Sequence, residues 1–360
     1  MSIILYVLLN IFICFNLVGT CHALEMKNST KQTIKILSID GGGIRGIIPA
    51  LILANLESRL HNNKRIIDHF NIVSGTSTGG IIALLLATPD NQGKAKYNIN
   101  EVLELYERLG NNVFNASILQ KLTSGFGWLN SKYSAQNLEK LLDEYFGNAE
   151  LKNSLTNIII PAYEIEIDKT FFFKNTRAVK SEENNFKFKD IARATSAAPG
   201  YFKPAIINNS PCSETYVLID GGISINNPSL AATVYGLDIY GKDNDYFVLS
   251  LGTGSNYGAK TKLISSSSIG NGGLLNWAKK IVPLLMHSSS AITDYELYHG
   301  LNVNYSSANY YRLQPILELG NITLDDARPE TIKKLKEYAN KFIIENDSKI
   351  QEIADFLNRH

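Results

Sequence analysis

The five residues Gly75-Thr76-Ser77-Thr78-Gly79 spell G-x-S-x-G between a β-prone apolar run, FNIVS, and a helix-prone one, GIIALLLA. A serine at a strand-to-helix turn is the arrangement of a nucleophile elbow, in which a sharp turn exposes the hydroxyl for attack on a carbonyl. Gly75 and Gly79 suit such a turn because backbone segments pass close to one another there. Attack creates an oxyanion, and that charge needs donors already in place, commonly consecutive backbone N–H groups. SIDGGGIRGIIPA, Ser38 to Ala50, offers them: Gly41, Gly42 and Gly43 carry no side chains, and the helix start that follows adds a partial positive charge. Arg45 suits either a phosphate or loop contact or an ion pair with a local carboxylate such as Asp40.

Gly41, Gly43 and Gly46 also fit G-x-G-x-x-G, the loop that holds a dinucleotide pyrophosphate. That reading needs an acidic residue at the end of the second strand, and the nearby carboxylate, Asp68, precedes the strand instead. The serine needs a base. His22 lies near the start of the chain, His360 is its last residue, and His61 and His69 flank a polar turn. His287 and His299 follow Asp220 in the chain order of a Ser-Asp-His hydrolase, so they keep that triad open. Asp220 is itself the other candidate: the β-prone run Thr215 to Ile219 ends in Asp220-Gly221-Gly222, a carboxylate at a strand tip beside glycines that permit close approach. No metal is called for, because H-E-x-x-H, paired C-x-x-C and the D-x-D-x-D-G calcium loop are missing from the sequence.

These residues need elements that end where the chemistry begins. Strands are expected at Lys35 to Ile39, Phe70 to Ser74, Asn157 to Pro161, Lys169 to Lys174, Thr215 to Ile219 and Tyr246 to Leu251. Between them, helical spacing marks Ile44 to Leu60, Gly79 to Ala87, Val102 to Leu109, Ala135 to Phe146 and Ser229 to Ile239. Alternating strands and helices predict an α/β fold with three layers, α/β/α, around a mostly parallel central sheet. Ser117 to Ser134 and Tyr257 to Gly273 read as long surface loops. In the first, Phe126, Trp128 and Leu129 are candidates to dip into a lipid headgroup region or to pack on the core. Residues 329–360 are charged with apolar residues at helical spacing, as a helical extension would be, leaving 35–328 as the catalytic domain.

Composition excludes some partners. The 360 residues carry 35 Lys plus Arg against 34 Asp plus Glu, a net charge of +1, so there is no field to steer nucleic acid. Ser2 to Gly19 has no charged residue and precedes an A-x-A-like site, so residues 1–23 are expected to be a secretory signal and 24–34 a linker, with export as the destination. An uncleaved membrane anchor and a lipidated Cys21 are the alternatives. Cleavage would leave Cys212 as the one cysteine.

DGGGIRG at Asp40 to Gly46, GTSTGG at Gly75 to Gly80 and DGG at Asp220 to Gly222 together resemble the patatin-like phospholipase family of lipid acyl hydrolases. ATSAAPGYFKP at Ala194 to Pro204, NNP at Asn226 to Pro228 and LGTG at Leu251 to Gly254 extend the likeness in the same order. The resemblance implies a patatin-like fold, Ser77 as nucleophile, Asp220 as its partner in a Ser-Asp dyad, and Gly41 to Gly43 as the oxyanion loop. It also implies a metal-independent, cofactor-free carboxylic ester hydrolase of phospholipase A or lysophospholipase type, acting on phospholipid or glycolipid at a membrane surface. Two other readings remain: an esterase using His287 or His299, and a secreted binding protein without turnover.

Overall fold

The computed structural model of the protein describes residues 31–62, 64–113, 131–255, 277, 281–304, 309–317 and 322–359. The expected signal, the aromatic trio Phe126, Trp128 and Leu129, and the stretch from Tyr257 to Gly273 lie outside the described residues. All that follows concerns the unit Thr33–His360. Strand β1 (Thr33–Ile39) pairs in parallel with β2 (Ile72–Gly75) on one edge and with β7 (Asp245–Leu251) on the other. β2 continues in parallel to β3 (Asn157–Glu164), and β7 to β8 (Asn309–Leu313). β4 (Lys169–Lys174), β5 (Ala205–Asn208) and β6 (Thr215–Asp220) join antiparallel, which completes an eight-stranded sheet among the described residues. A parallel centre with an antiparallel flank is the mostly parallel sheet expected.

The layers follow from β1. Ile34 and Ile36 pack with Ile72, Ile159 and Val248 against Ala232 and Tyr235 of helix α6 (Ser229–Tyr240) and Leu297 of α7 (Ile281–Asn304). Leu37 and Ile39 face the other way, into the larger cluster shared with helices α1 (Ile47–Glu57), α2 (Thr78–Leu86), α8 (Pro329–Glu345) and α9 (Asp347–Arg359). A strand apolar on both faces needs helices on both sides. All nine residues of α2 are buried, so its TGGIIALLL sequence has no polar face to show. The two C-terminal helices belong to the same unit: Phe356 of α9 stacks on Phe247 of β7 with ring centroids 4.3 Å apart, and Asp347 bonds Arg59 at 2.6 Å.

One edge of β3 is shared by two strands that point at each other. β4 pairs with β3 from Ile159 through Glu164 and so fills one edge. β2 and β6 must then share the opposite edge. β2 runs parallel as far as Ser74, opposite Ile159; β6 runs antiparallel as far as Asp220, opposite Ala162. Their C-terminal tips therefore meet across Ile160 and Pro161. Proline suits that gap, having no amide proton to leave unpaired. The chain leaves β2 into Ser77 and ends β6 at Asp220, so the sheet itself brings the two together.

The sequence-derived bounds of Lys169–Lys174 and Ala135–Phe146 coincide with the observed elements, four of the other expected strands extend by one to three residues, and Phe70 to Ser74 is shifted to Ile72–Gly75, because Phe70 and Asn71 precede the pairing with β1. Two strands were not anticipated. β5 has four residues and β8 five, too short for alternation to stand out, and each is defined by its neighbour. The expected helix Ile44 to Leu60 begins as a 3₁₀ turn at Gly43–Gly46 and becomes α-helical at Ile47. Among the described residues, no helix is long and apolar enough to cross a membrane.

Candidate active site

Ser77 stands at the turn from β2 into α2 with φ 55° and ψ −122°. Positive φ in a non-glycine residue costs about 1–3 kcal/mol and persists only where its surroundings hold it. The holding groups are visible. The Ser77 amide donates to Thr195 Oγ1 at 3.0 Å, and Thr195 Oγ1 donates to the Pro161 carbonyl at 2.7 Å. A β-carbon on Gly75 would stand 2.0 Å from the Gly79 carbonyl oxygen, so the tight turn needs glycine there. Thr195 ends helix α5 (Phe188–Thr195), which sequence periodicity did not resolve at eight residues.

Ser77 Oγ donates to Asp220 Oδ2 at 2.6 Å. The second oxygen of Asp220 accepts from the Gly222 amide at 2.7 Å, so the carboxylate is oriented at both ends. Asp220 is 2% exposed. Burial pushes its pKa up to about 6, against the opposing pull of the Ser77 and Gly222 hydrogen bonds. The result is an ionised carboxylate at neutral pH that is a better proton acceptor than an exposed one.

The glycine loop leaves β1 beside this pair, and its three amides differ. Gly41 N–H donates to the Asn226 carbonyl at 3.1 Å. Gly42 and Gly43 N–H make no hydrogen bond among the described residues, and Gly43 lines the same cavity as Ser77. Arg45 is half-buried and does not pair with Asp40, which corrects the ion-pair expectation. Asp40 is taken by Arg312 of β8, in a two-pronged pair at 2.5 and 2.8 Å, because β8 lies next to β7 and delivers the guanidinium to the end of β1. Arg45 instead bonds the Gly42 carbonyl through Nε at 3.4 Å, and burial lowers its pKa to about 10, so it stays charged at neutral pH.

A cavity of about 610 Å³, counting its open mouth, has Ser77 and Asp220 in its wall. Ile81, Val113, Leu138, Phe202, Met286 and Leu324 make its lining largely apolar. Such a wall suits a hydrocarbon chain with a reactive carbonyl at one end. Neither histidine candidate joins the pair. His287 Nε2 is 3.5 Å from Ser255 Oγ, and the His299 ring stands against Tyr295 and Tyr298, with centroids 4.5 and 5.2 Å away. His287 belongs to α7, which reaches the cavity through its neighbour Met286. Among the described residues no cluster of three His, Cys, Asp or Glu side chains could hold a metal ion.

Thr195, Asn226 and Thr253 lie within the family-like sequence blocks, but residue type and spacing assign them no role. Their signal was present only as those blocks; each acts on a backbone group more than one hundred positions away. The family described as patatin-like phospholipase matches residues 37–233. Patatin-like protein 2 of Arabidopsis thaliana is 33% identical over 312 residues, covering 78% of this chain and 75% of that protein. Two proteins of Solanum tuberosum are similar over more of the chain. Patatin group J-1 is 31% identical over 328 residues, 85% of this chain and 83% of its own. Patatin-15 is 32% identical over 338 residues, 88% and 84% respectively.

Proposed function

Because this chain belongs to the patatin-like phospholipase family, we propose that it hydrolyses the acyl ester bonds of phospholipids or glycolipids through Ser77 and Asp220. The observation that carries the reading is the 2.6 Å hydrogen bond from a positive-φ Ser77 to a buried Asp220 in the wall of an apolar cavity. Acyl chains would lie along Ile81, Leu138, Phe202 and Met286, with the ester carbonyl at Ser77.

Asp220 accepts the Ser77 proton as Oγ attacks the carbonyl carbon. The tetrahedral oxyanion is met by the amides of Gly42 and Gly43, the two of the three loop amides without a hydrogen bond among the described residues. Collapse breaks the bond to the leaving oxygen, Asp220 returns the proton to it, and the alcohol or lysolipid departs, leaving an acyl group on Ser77. Water then attacks the acyl-enzyme as Asp220 takes its proton, and collapse breaks the bond to Ser77 Oγ while Asp220 passes that proton to it, which frees the fatty acid and restores the serine. Arg45, charged and without a carboxylate partner among the described residues, supplies positive charge on the Tyr201 side of the site for an anionic headgroup.

The test is labelling by a serine-reactive fluorophosphonate beside hydrolysis of phospholipid vesicles, comparing the wild type with Ser77→Ala. Labelling and hydrolysis that both disappear in Ser77→Ala are expected. Hydrolysis that survives the substitution would refute the reading, and a wild type that neither labels nor turns over would leave a binding protein.

A further inference from the structure

The oxyanion loop is held by its carbonyls. Gly41 C=O accepts from Thr253 Oγ1 at 2.8 Å, with a longer bond from Asn226 Nδ2 at 3.5 Å. Gly42 C=O accepts from the Arg45 amide at 3.2 Å and from Arg45 Nε at 3.4 Å. A trans peptide is planar, with C=O and N–H on opposite edges. Fixing the Gly41 carbonyl therefore fixes the Gly42 N–H, and fixing the Gly42 carbonyl fixes the Gly43 N–H. These are the two amides with no hydrogen bond among the described residues, whereas Gly41 and Ile44 N–H donate to the carbonyls of Asn226 and Leu324 at 3.1 and 2.8 Å. Consecutive glycines have little torsional preference of their own, so these carbonyl bonds, and not the glycines, set the angle of each peptide, and for the Gly41–Gly42 peptide they come from outside the loop.

We propose that Thr253 is a positioning residue for the reaction: by clamping the Gly41 carbonyl, its hydroxyl aims the Gly42 N–H at the oxyanion. The proposal rests on the function proposed above. Thr253 lies two residues past the end of β7, 3% exposed, and it owes its access to the missing side chain at Gly42. A β-carbon there would stand 2.2 Å from Thr253 Oγ1. Asn226 braces the same carbonyl and is itself anchored: its Nδ2 donates to Ser290 Oγ at 2.8 Å, and Ser290 Oγ donates to Asp40 Oδ2 at 3.2 Å. Through Asp40 the clamp is tied to the buried Arg312 pair on the neighbouring strands. Neither Thr253 nor Asn226 lines the cavity, so their contribution falls on the developing charge and not on substrate affinity.

The experiment compares full-length wild type, Thr253→Val, Thr253→Ser and Ser77→Ala. It measures kcat and KM on a soluble short-chain ester, the rate of fluorophosphonate labelling, and urea unfolding. Valine keeps the shape of threonine and removes the donor. Loss of a whole oxyanion donor costs about 10²- to 10³-fold in kcat, and a loosened one is expected to cost about 10- to 100-fold, with KM within about twofold. Labelling by the fluorophosphonate slows in the same proportion, since its phosphoryl oxygen uses the same donors, and Thr253→Ser stays within about threefold of wild type. If the valine variant does not fold, Thr253→Ala against Thr253→Ser makes the same comparison. A folded variant without the hydroxyl that keeps wild-type kcat, a loss confined to KM, or a serine variant as impaired as valine would overturn the clamp alone. Absence of wild-type ester hydrolysis, or its survival in Ser77→Ala, would instead overturn the proposed function and the clamp with it.

Discussion

Asp220→Asn separates the proton acceptor from the scaffold around it. Asparagine has the same outline, can still accept the Gly222 amide, and can face Ser77 with its NH₂ group, but it cannot take a proton. The folded state raises the Asp220 pKa from 3.8 to about 6 by burial, so the folded protein holds a proton that the unfolded chain has already released across that window. Stability therefore falls as pH rises through the window, and the full cost is present above it. A shift of about two units corresponds to about 3 kcal/mol, since each unit is worth about 1.4 kcal/mol. The neutral asparagine escapes that cost but makes a weaker hydrogen bond, which takes back about 1 kcal/mol. Asp220→Asn is thus expected to be more stable than wild type by about 1–2 kcal/mol at pH 8 and to lose that advantage near pH 4. Above about pH 6 the variant's turnover is expected to be lower by about 10⁴-fold or more, about 5 kcal/mol of transition-state stabilisation, and the gap narrows at lower pH as the wild-type carboxylate takes up its proton. Wild-type kcat/KM should rise tenfold per pH unit up to about pH 6 and then level, because Asp220 must be ionised to accept the proton. Parallel urea unfolding and ester hydrolysis between about pH 4 and 8 measure all three quantities. A variant that keeps turnover within a few-fold of wild type refutes the dyad, and a stability difference that does not change with pH refutes the buried-carboxylate account.

Two further outcomes are expected. His287→Ala and His299→Ala, singly and together, should keep turnover within about threefold, because neither ring bonds Ser77 or Asp220; a collapse at either, with the fold intact, would restore the triad alternative. Arg312→Met should destabilise the protein by about 3–5 kcal/mol in urea unfolding, because it strands Asp40, which is 1% exposed, without its guanidinium. Adding Asp40→Asn should recover part of that loss, and a single-variant cost below about 1 kcal/mol would show that the pair is not what holds the end of β1.

What was legible in the sequence is what backbone geometry imposes locally. A turn that forces a serine to positive φ demands small neighbours on either side, so Gly75 and Gly79 announce Ser77 at fixed spacing. A strand that stops at its carboxylate announces Asp220 by the abrupt change from TYVLI to DGG. The β-prone run Thr170 to Phe173 bounded by lysines, and helical spacing along Ala135–Phe146, carry their elements within a single segment, and both bounds coincide with the structure. The resemblance to patatin-like phospholipases added the partnership of residues that the spacing alone left open.

Other features depend on which segments become neighbours. Ser77 and Asp220 are 143 positions apart, and they meet because β2 and β6 approach head-on along one edge of β3, an arrangement no local pattern encodes. Asp40 has Arg45 five positions away, yet its partner is Arg312, 272 positions away, because β8 adds itself beyond β7. The same holds for Thr253, which reaches the Gly41 carbonyl across 212 positions. Local sequence thus determined which groups could react and how each turn must bend. Tertiary structure decided their partners and donors, because sheet order and burial select contacts by position in space, and the free energy of a buried pair or clamp exists only once both segments are in place.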